Sequence, residues 1–277
     1  MNSRSLLVID SDPAVHDLVS GLLTREDRSI QSVFDGKDGL DQLRHSAFDV
    51  VVAGQGRNGY DGLKLVRRVR AIQPAARIIV TGEQDPARVM GALKERAFGY
   101  IHKPLSATVV RDLVTQALDS QSGKDDIHIV SARKDWLTLD IRCKIETADR
   151  TTHFFREMMA DLPSNVCEDA GAALRELLMN AVEHGGLNNP KKWARVSLIR
   201  TGRSLIFYIH DPGPGFSLDL LPHAAISNPD DAPIRHVEIR AEEGRRPGGF
   251  GILMTRNLVD ELLYNERGNA VLFVKYL

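Results

Sequence analysis

Glu176, Asn180 and His184 recur every four residues in the stretch Leu174-Arg-Glu-Leu-Leu-Met-Asn-Ala-Val-Glu-His-Gly185. On a helix that spacing stacks a carboxylate, a carboxamide and an imidazole in one stripe. Leu174, Leu177, Leu178, Ala181 and Val182 fall at i, i+3, i+4, i+7 and i+8 and form the buried face beside it. Gly185-Gly186 then ends the helix. A core helix does not need three such groups along the edge of its apolar face. A site that holds a metal ion and activates a hydroxyl uses all three. Two glycine-rich stretches follow: Asp211-Pro-Gly-Pro-Gly-Phe216 after the strand-like run 205–210, and Pro247-Gly-Gly-Phe-Gly-Ile-Leu253 at the start of another apolar helix. Gly213 and Gly215 let backbone approach a ligand without a Cβ in the way. Gly248, Gly249 and Gly251 lie where free N–H groups and the helix dipole favour phosphate.

The elements that position these residues follow from periodicity. Residues 149–159 and 167–183 read as helices with Leu162-Pro163-Ser164 between them. Segments 196–199 and 205–209 make a hairpin across Thr201-Gly202, 127–145 alternates like strands, 250–263 reads as an amphipathic helix, and 270–277 closes as a strand. Helices with antiparallel strands give an α+β two-layer sandwich. Residues 217–247, rich in Pro and charge, read as a long loop over the site. His223 and His236 fall in it without metal-ligand spacing.

The first part of the chain has a different rhythm. Strand patterns at 6–10, 29–33, 48–53, 77–80 and 98–101 alternate with helix patterns at 13–24, 36–45, 61–72, 85–96 and 106–118. Five βα units in about 120 residues imply an α/β doubly wound, flavodoxin-like parallel sheet, with any site at the carboxyl ends of its strands. Those ends carry Asp10-Ser11-Asp12-Pro13, then Gly54, Thr81 and Lys103-Pro104.

The Asp10/Asp12-Pro13, Thr81 and Lys103-Pro104 pattern resembles the receiver domain of bacterial response regulators. By that resemblance the phosphoacceptor Asp belongs at Gly54, and the second acid of the magnesium pair belongs at Ser11. Glycine has no nucleophile, and Ser11 and Gln55 cannot replace carboxylate charge. The expectation is a pseudo-receiver, with the fold kept and phosphorylation lost. Thr81 and Lys103 then become a strand-end hydroxyl and a solvated or Asp-paired lysine.

The order of Asn-containing helix, Asp-x-Gly-x-Gly and Gly-x-Gly before a helix resembles the ATP site of histidine kinases, gyrase-type ATPases and anti-sigma-factor serine kinases. Glu176 to Gly185 matches the Glu-x-x-x-Asn-Ala-x-x-His-Gly of the last group. The resemblance implies Asn180 as the Mg²⁺ ligand, Glu176 as the general base, and Asp211 as the reader of the adenine amine. Gly213 and Gly215 would approach base and ribose, and Gly248, Gly249 and Gly251 the phosphates. His184 would touch a phosphate, orient the site, or simply be a polar residue near a helix end. Arg245 and Arg246 would reach the γ-phosphate or remain solvated. No dimerising, phosphorylated hairpin fits ahead of this region, since His153 is followed by Phe-Phe. That argues against an autophosphorylating histidine kinase.

Composition bounds these readings. The 277 residues are 43% hydrophobic and 26% charged, typical of a globular protein that carries two domains. Lys plus Arg (36) balance Asp plus Glu (37), and no basic tract points to nucleic acid. No apolar run approaches the ~18 residues of a membrane span, and the N-terminus lacks a signal-peptide core. Cys143 and Cys167 lack metal-ligand spacing and read as reduced thiols, so a cytoplasmic protein is expected. The expected domains are 1–120, a linker 121–126, and 127–277. The resemblance implies the cofactors ATP and Mg²⁺, the partners a sigma factor and a small antagonist protein phosphorylated on serine, and pairing of the chain with itself. The pseudo-receiver surface would recruit a partner or gate the second domain. The rival readings are an ATP-dependent binding switch without catalysis and a relic of a histidine kinase.

Overall fold

The computed structural model describes residues 4–23, 28–55, 60–120, 126–216, 235–242 and 250–277. The chain divides into two compact units, Met1–Asp125 with Glu157–Asp161 and Asp126–Arg156 with Leu162–Leu277. Among the described residues no helix is long and apolar enough to cross a membrane.

The first unit alternates β1 (Arg4–Ile9), α1 (Pro13–Leu23), β2 (Arg28–Val33), α2 (Gly36–His45), β3 (Val50–Ala53), α3 (Gly62–Ile72), β4 (Arg77–Gly82), α4 (Pro86–Lys94), β5 (Gly99–His102) and α5 (Ala107–Asp119). All pairings are parallel, in the order β2-β1-β3-β4-β5. This is the doubly wound sheet that the βα rhythm implies. β3 is buried along its whole length, as its unbroken apolar run requires when helices cover both faces. Leu6, Val8, Val50, Val52 and Ile79 pack with Val15, Val19, Val110 and Leu113 on one side of the sheet. Asp35, Asp61 and Asp85 cap α2, α3 and α4, each accepting a bond from a backbone N–H two residues on.

The second unit begins with the hairpin β6 (Ile127–Arg133) and β7 (Trp136–Arg142). It continues through α6 (Ile145–Met159), α7 (Ser164–Asn180), β8 (Trp193–Arg200), β9 (Ser204–His210), α8 (Arg235–Glu242), α9 (Gly251–Leu258), β10 (Glu261–Tyr264) and β11 (Ala270–Tyr276). Its sheet is antiparallel throughout, in the order β10-β11-β9-β8-β7-β6. Leu139, Val196, Phe207, Ile209 and Phe273 are buried on the inner face, and α7 packs against β9 and β11. Phe207 stacks on Phe273 with ring centroids 4.7 Å apart, and Phe155 meets it edge-on at 5.6 Å. Lys275 reaches inward from β11, donating to Asp169 of α7 (2.8 Å) and to the Leu258 carbonyl that ends α9 (2.9 Å).

Four expectations need correction: the helix expected from 149 begins at Ile145, the stretch 217–247 read as a loop contains α8, and two further boundaries move. The helix expected over 250–263 stops at Leu258; Val259 turns extended (φ −116°, ψ 158°), and β10 pairs with β11. Val-Asp-Glu-Leu-Leu-Tyr satisfies a strand period as well as a helical one, and the open edge of β11 decides in favour of the strand. The helix expected over 167–183 starts earlier, at Ser164, and its last turn, Ala181–Gly185, is π-helical, with Gly186 N–H donating to the Ala181 carbonyl at 2.8 Å. Of the expected linker, Asp126 accepts from Lys144 (2.9 Å) and from Arg142 N–H (2.9 Å); residues 121–125 lie outside the described residues.

Phe207→Ala should destabilise the second unit by about 3–5 kcal/mol, the range for emptying a buried aromatic site. Both tryptophans, Trp136 and Trp193, lie in this unit. Tryptophan emission during urea unfolding therefore reads the loss, and an unchanged midpoint would refute the aromatic core.

Candidate functional site

The polar stripe on α7 faces a cavity of about 430 Å³ inside the second unit. Glu176, Asn180, His184, Gly185, Asp211, Gly215 and Gly251 all line it, with Phe216, Tyr264, Gly268 and Asn269. Glu176 and Asn180 are half-buried at its edge, and His184 is exposed. Residues Ala181–Gly185 are π-helical, so the regular four-residue spacing ends at Asn180. Gly251 is the first residue of α9, and a Cβ there would overlap the Glu176 carboxylate. The Glu176 side chain lies directly against the backbone at the first turn of α9.

Asp211 follows β9 and is tied to the sheet by its N–H, which donates to the Asn269 carbonyl at 2.9 Å. Its carboxylate accepts the Gly213 N–H at 2.7 Å. Burial pushes the Asp211 carboxyl above the usual aspartate range, against the opposing pull of the Gly213 N–H, His210, Arg267 and Lys192. Gly215 has φ +85°, and a Cβ there would overlap the Arg267 carbonyl. The turn between β10 and β11 thus forms one wall of the cavity. Asn265 braces that turn, its oxygen accepting from Asn269 N–H (3.1 Å) and Ala270 N–H (3.0 Å). Gly213 lies beside Asp211, outside the cavity lining.

Tyr264 and Asn269 were not singled out from the sequence. Tyr264 comes directly after the segment read as helix, and its ring meets Phe216 edge-on at 5.4 Å. Burial first, and the Glu176 carboxylate second, push its phenol up. Asn269 follows Gly268 (φ +74°), so a turn before the last strand was the available signal. Gly248, Gly249, Arg245, Arg246 and His223 lie outside the described residues, as does the side chain of His236; of the stretch 217–247 only α8 is described. Both cysteines are free, and burial pushes the Cys143 thiol up to about 11. Among the described residues no cluster of three or more His, Cys, Asp or Glu side chains is arranged for a metal ion.

At the carboxyl ends of the first unit's strands, Asp10 is fully buried and accepts three bonds. Lys103 Nζ donates at 2.8 Å, Thr81 Oγ1 at 3.0 Å and Asp12 N–H at 3.0 Å. Asp12 is exposed by comparison, 3.9 Å from Lys103 Nζ. Ser11 N–H donates to the Gln55 carbonyl at 2.7 Å. Gly54 closes β3 against this network, and a Cβ there would overlap the Asp10 carboxylate and crowd Thr81 Oγ1.

Residues 6–115 match the response regulator receiver domain, and residues 141–275 match the histidine kinase-like ATPase domain. The chain is a receiver domain followed by a histidine kinase-like ATPase domain. The transcriptional regulatory protein AfsQ1 of Streptomyces coelicolor is 31% identical over 106 residues, 38% of this chain and 47% of that protein. Response regulator ArlR of Staphylococcus aureus is 25% identical over 124 residues, 45% of this chain and 57% of that protein. The chain spans about half the length of these curated relatives. A CheY-like receiver domain protein from Methanospirillum hungatei JF-1 is 20% identical with a TM-score of 0.39, covering 42% of this chain and 94% of that one.

Gly54→Asp should destabilise the receiver domain by about 1–3 kcal/mol, the usual effect of overpacking a filled site. Calorimetry should show the receiver transition lowered and the ATPase transition unmoved; an unshifted receiver would mean the network yields freely. Asp211→Asn keeps an acceptor for Gly213 N–H and removes the charge. Adenine-nucleotide affinity should fall about tenfold or more, the scale of a hydrogen bond to a charged group. A raised carboxyl takes up its proton at higher pH than an ordinary aspartate. Wild-type affinity should therefore decline on acidification before that range, and the variant should lack this decline. Calorimetric titration across pH reads both effects, and undiminished affinity in the variant would place the base elsewhere.

Proposed function

We propose that the chain is a signalling regulator whose ATPase domain is a Mg·ATP-dependent protein serine kinase of the anti-sigma-factor type, joined to a receiver domain that is not phosphorylated. The observation that carries this reading is the convergence of Glu176, Asn180, Asp211 and the glycine start of α9 on one cavity. Its ~430 Å³ lies in the range of small-ligand sites. The donor set suits the group: a neutral amide oxygen at Asn180, a half-buried acceptor at Asp211, and backbone that approaches closely at Gly215 and Gly251. In this reading Asn180 gives Mg²⁺ one protein ligand and leaves the rest to phosphates and water. Asp211 accepts from the adenine amine, which guanine lacks. ATP supplies the phosphoryl group. Glu176 takes the proton from an attacking serine hydroxyl or water. His184, at the exposed rim, serves the phosphates or the protein substrate. Phosphoryl transfer asks little more of a protein than positioning and charge neutralisation.

The receiver is read as a pseudo-receiver because Gly54 offers no nucleophile and the Asp10 carboxylate is already bonded to Lys103 and Thr81. The proposed partners are a sigma factor held by the ATPase domain and a small antagonist protein phosphorylated by it. The same loss of chemistry favours a second reading. A chain that keeps one domain as a scaffold can use the other as an ATP-gated binding switch without turnover.

The test uses ATP labelled at the γ-phosphate, added with the purified chain to lysate of its source cells, with Glu176→Gln as the control. An acid-stable label on one small protein, absent with the variant, supports the serine kinase. An acid-labile label points to histidine or aspartate chemistry. No label, with ATP binding demonstrated separately, supports the switch.

A further inference from the structure

The loop that carries Asp211 has few donors of its own. In Asp211-Pro-Gly-Pro-Gly-Phe216, Pro212 and Pro214 have no N–H to give. The Gly213 N–H goes to the Asp211 carboxylate at 2.7 Å. The loop is fixed from outside, by the turn between β10 and β11. Gly215 (φ +85°) comes against the Arg267 carbonyl, and Gly268 (φ +74°) against the Phe216 backbone. A Cβ at either glycine would overlap those backbone atoms. Across this contact Arg267 Nε–H donates to the Pro214 carbonyl at 3.1 Å.

Asp211 is half-buried, and burial works against its charge. Each element around it brings a group to bear. Gly213 N–H from its own loop, His210 from β9, Arg267 from the turn and Lys192 from the segment before β8 all favour the carboxylate. The buried Cys143 thiol feels Asp211 and Lys192 in opposite senses. The π-helical turn closes against Asp211 through Gly185, where a Cβ would overlap the carboxylate, and its Glu183 and His184 line the same cavity. Arg267 acts on Asp211 in two ways. It bonds the loop, and its guanidinium stays charged at any working pH.

We propose that Arg267 is a positioning residue for nucleotide binding: its guanidinium holds the Pro214 carbonyl, and with it the Asp211 loop, on the turn between β10 and β11. The proposal rests on the reading of Asp211 as the acceptor of the adenine amine. Arg267 is exposed and does not line the cavity, so it acts through the loop and through Asp211. Solvent screens an exposed charge, so its electrostatic part is modest and weakens with salt.

Calorimetric titration of the full chain with Mg·ATP, from neutral to mildly acidic pH, tests this. Arg267→Ala should weaken binding about twofold to tenfold at neutral pH, the scale of one hydrogen bond. A positive charge beside a carboxylate favours the ionised form, so without it Asp211 takes up its proton at higher pH. The decline of affinity on acidification should therefore begin at higher pH in Arg267→Ala and Arg267→Gln, by about a few tenths of a pH unit at low salt. Arg267→Lys keeps the charge and should keep the wild-type onset. A purely structural arginine would lower affinity by one factor at every pH and leave the onset unmoved. Arg203→Ala, which removes an exposed arginine between β8 and β9, should change neither quantity. Far-ultraviolet circular dichroism checks folding. Should Arg267→Ala fail to fold, Arg267→Gln against Arg267→Lys carries the comparison. A wild type that binds ATP, and loses affinity in Asp211→Asn but not in Arg267→Ala, overturns this proposal alone. One common onset in wild type, Arg267→Gln and Arg267→Lys would do the same. A wild type without affinity for Mg·ATP overturns the reading of the cavity, and the proposal with it.

Discussion

The ATPase domain depends on how closely α9 can approach α7. At the cavity end of the pair, the missing side chain of Gly251 leaves the Glu176 carboxylate against the α9 backbone. At the far end, the Lys275 ammonium bonds both Asp169 of α7 and the last carbonyl of α9. A cation at a helix C-terminus is favourable on its own account, and here it also joins two helices to the sheet. The glycine lies at one end of the helix pair and the ammonium at the other, and the cavity lies along the gap. A larger residue at 251 would displace the Glu176 carboxylate from the cavity edge.

The receiver domain shows the opposite use of glycine. Gly54 removes a side chain from the place where three strands end, and the neighbouring polar groups close over the gap. A buried carboxylate is tolerable only when its oxygens are bonded, and Asp10 meets that need with an ammonium, a hydroxyl and a backbone N–H. The network links the carboxyl ends of β1, β4 and β5, so it holds the sheet edge in one arrangement. Such a pair is weak as a source of net stability but expensive to break from one side, because the partner left behind is a buried charge. That asymmetry favours keeping Asp10, Thr81 and Lys103 together.

Much of this was legible in the residues. The five βα units follow from apolar runs and Asp-led helix starts, because parallel strands buried on both faces leave an unambiguous pattern. The stripe Glu176, Asn180, His184 and the stretch Asp211 to Gly215 are each local in sequence, so spacing singled out each one, and the family resemblance joined them in one site. What spacing could not show is long-range. Val259 to Tyr264 fits two periods, and only the presence of β11 alongside makes it a strand. Tyr264 therefore entered the cavity unannounced, with Asn269 from the turn that follows. The π-helical turn was equally hidden, since an extra residue per turn leaves no compositional mark and its stabilising bond runs between two plain backbone groups, Ala181 and Gly186.

The two domains carry similar residue types, acids and hydroxyl or amide neighbours at the ends of regular elements, yet they arrive at different capacities. In the receiver every acceptor on Asp10 is turned inward to a donor of the same domain, so the polar groups are satisfied and chemically closed. In the ATPase domain Asp211 is bonded to its own loop through one oxygen while burial makes its charge costly, and Glu176 and Asn180 face an open cavity. A group that is half desolvated without being fully paired has binding energy left to offer a ligand. A group that is fully paired has none. The missing side chain leaves room for the Asp10 carboxylate and the Thr81 hydroxyl at Gly54, and for the Glu176 carboxylate at Gly251.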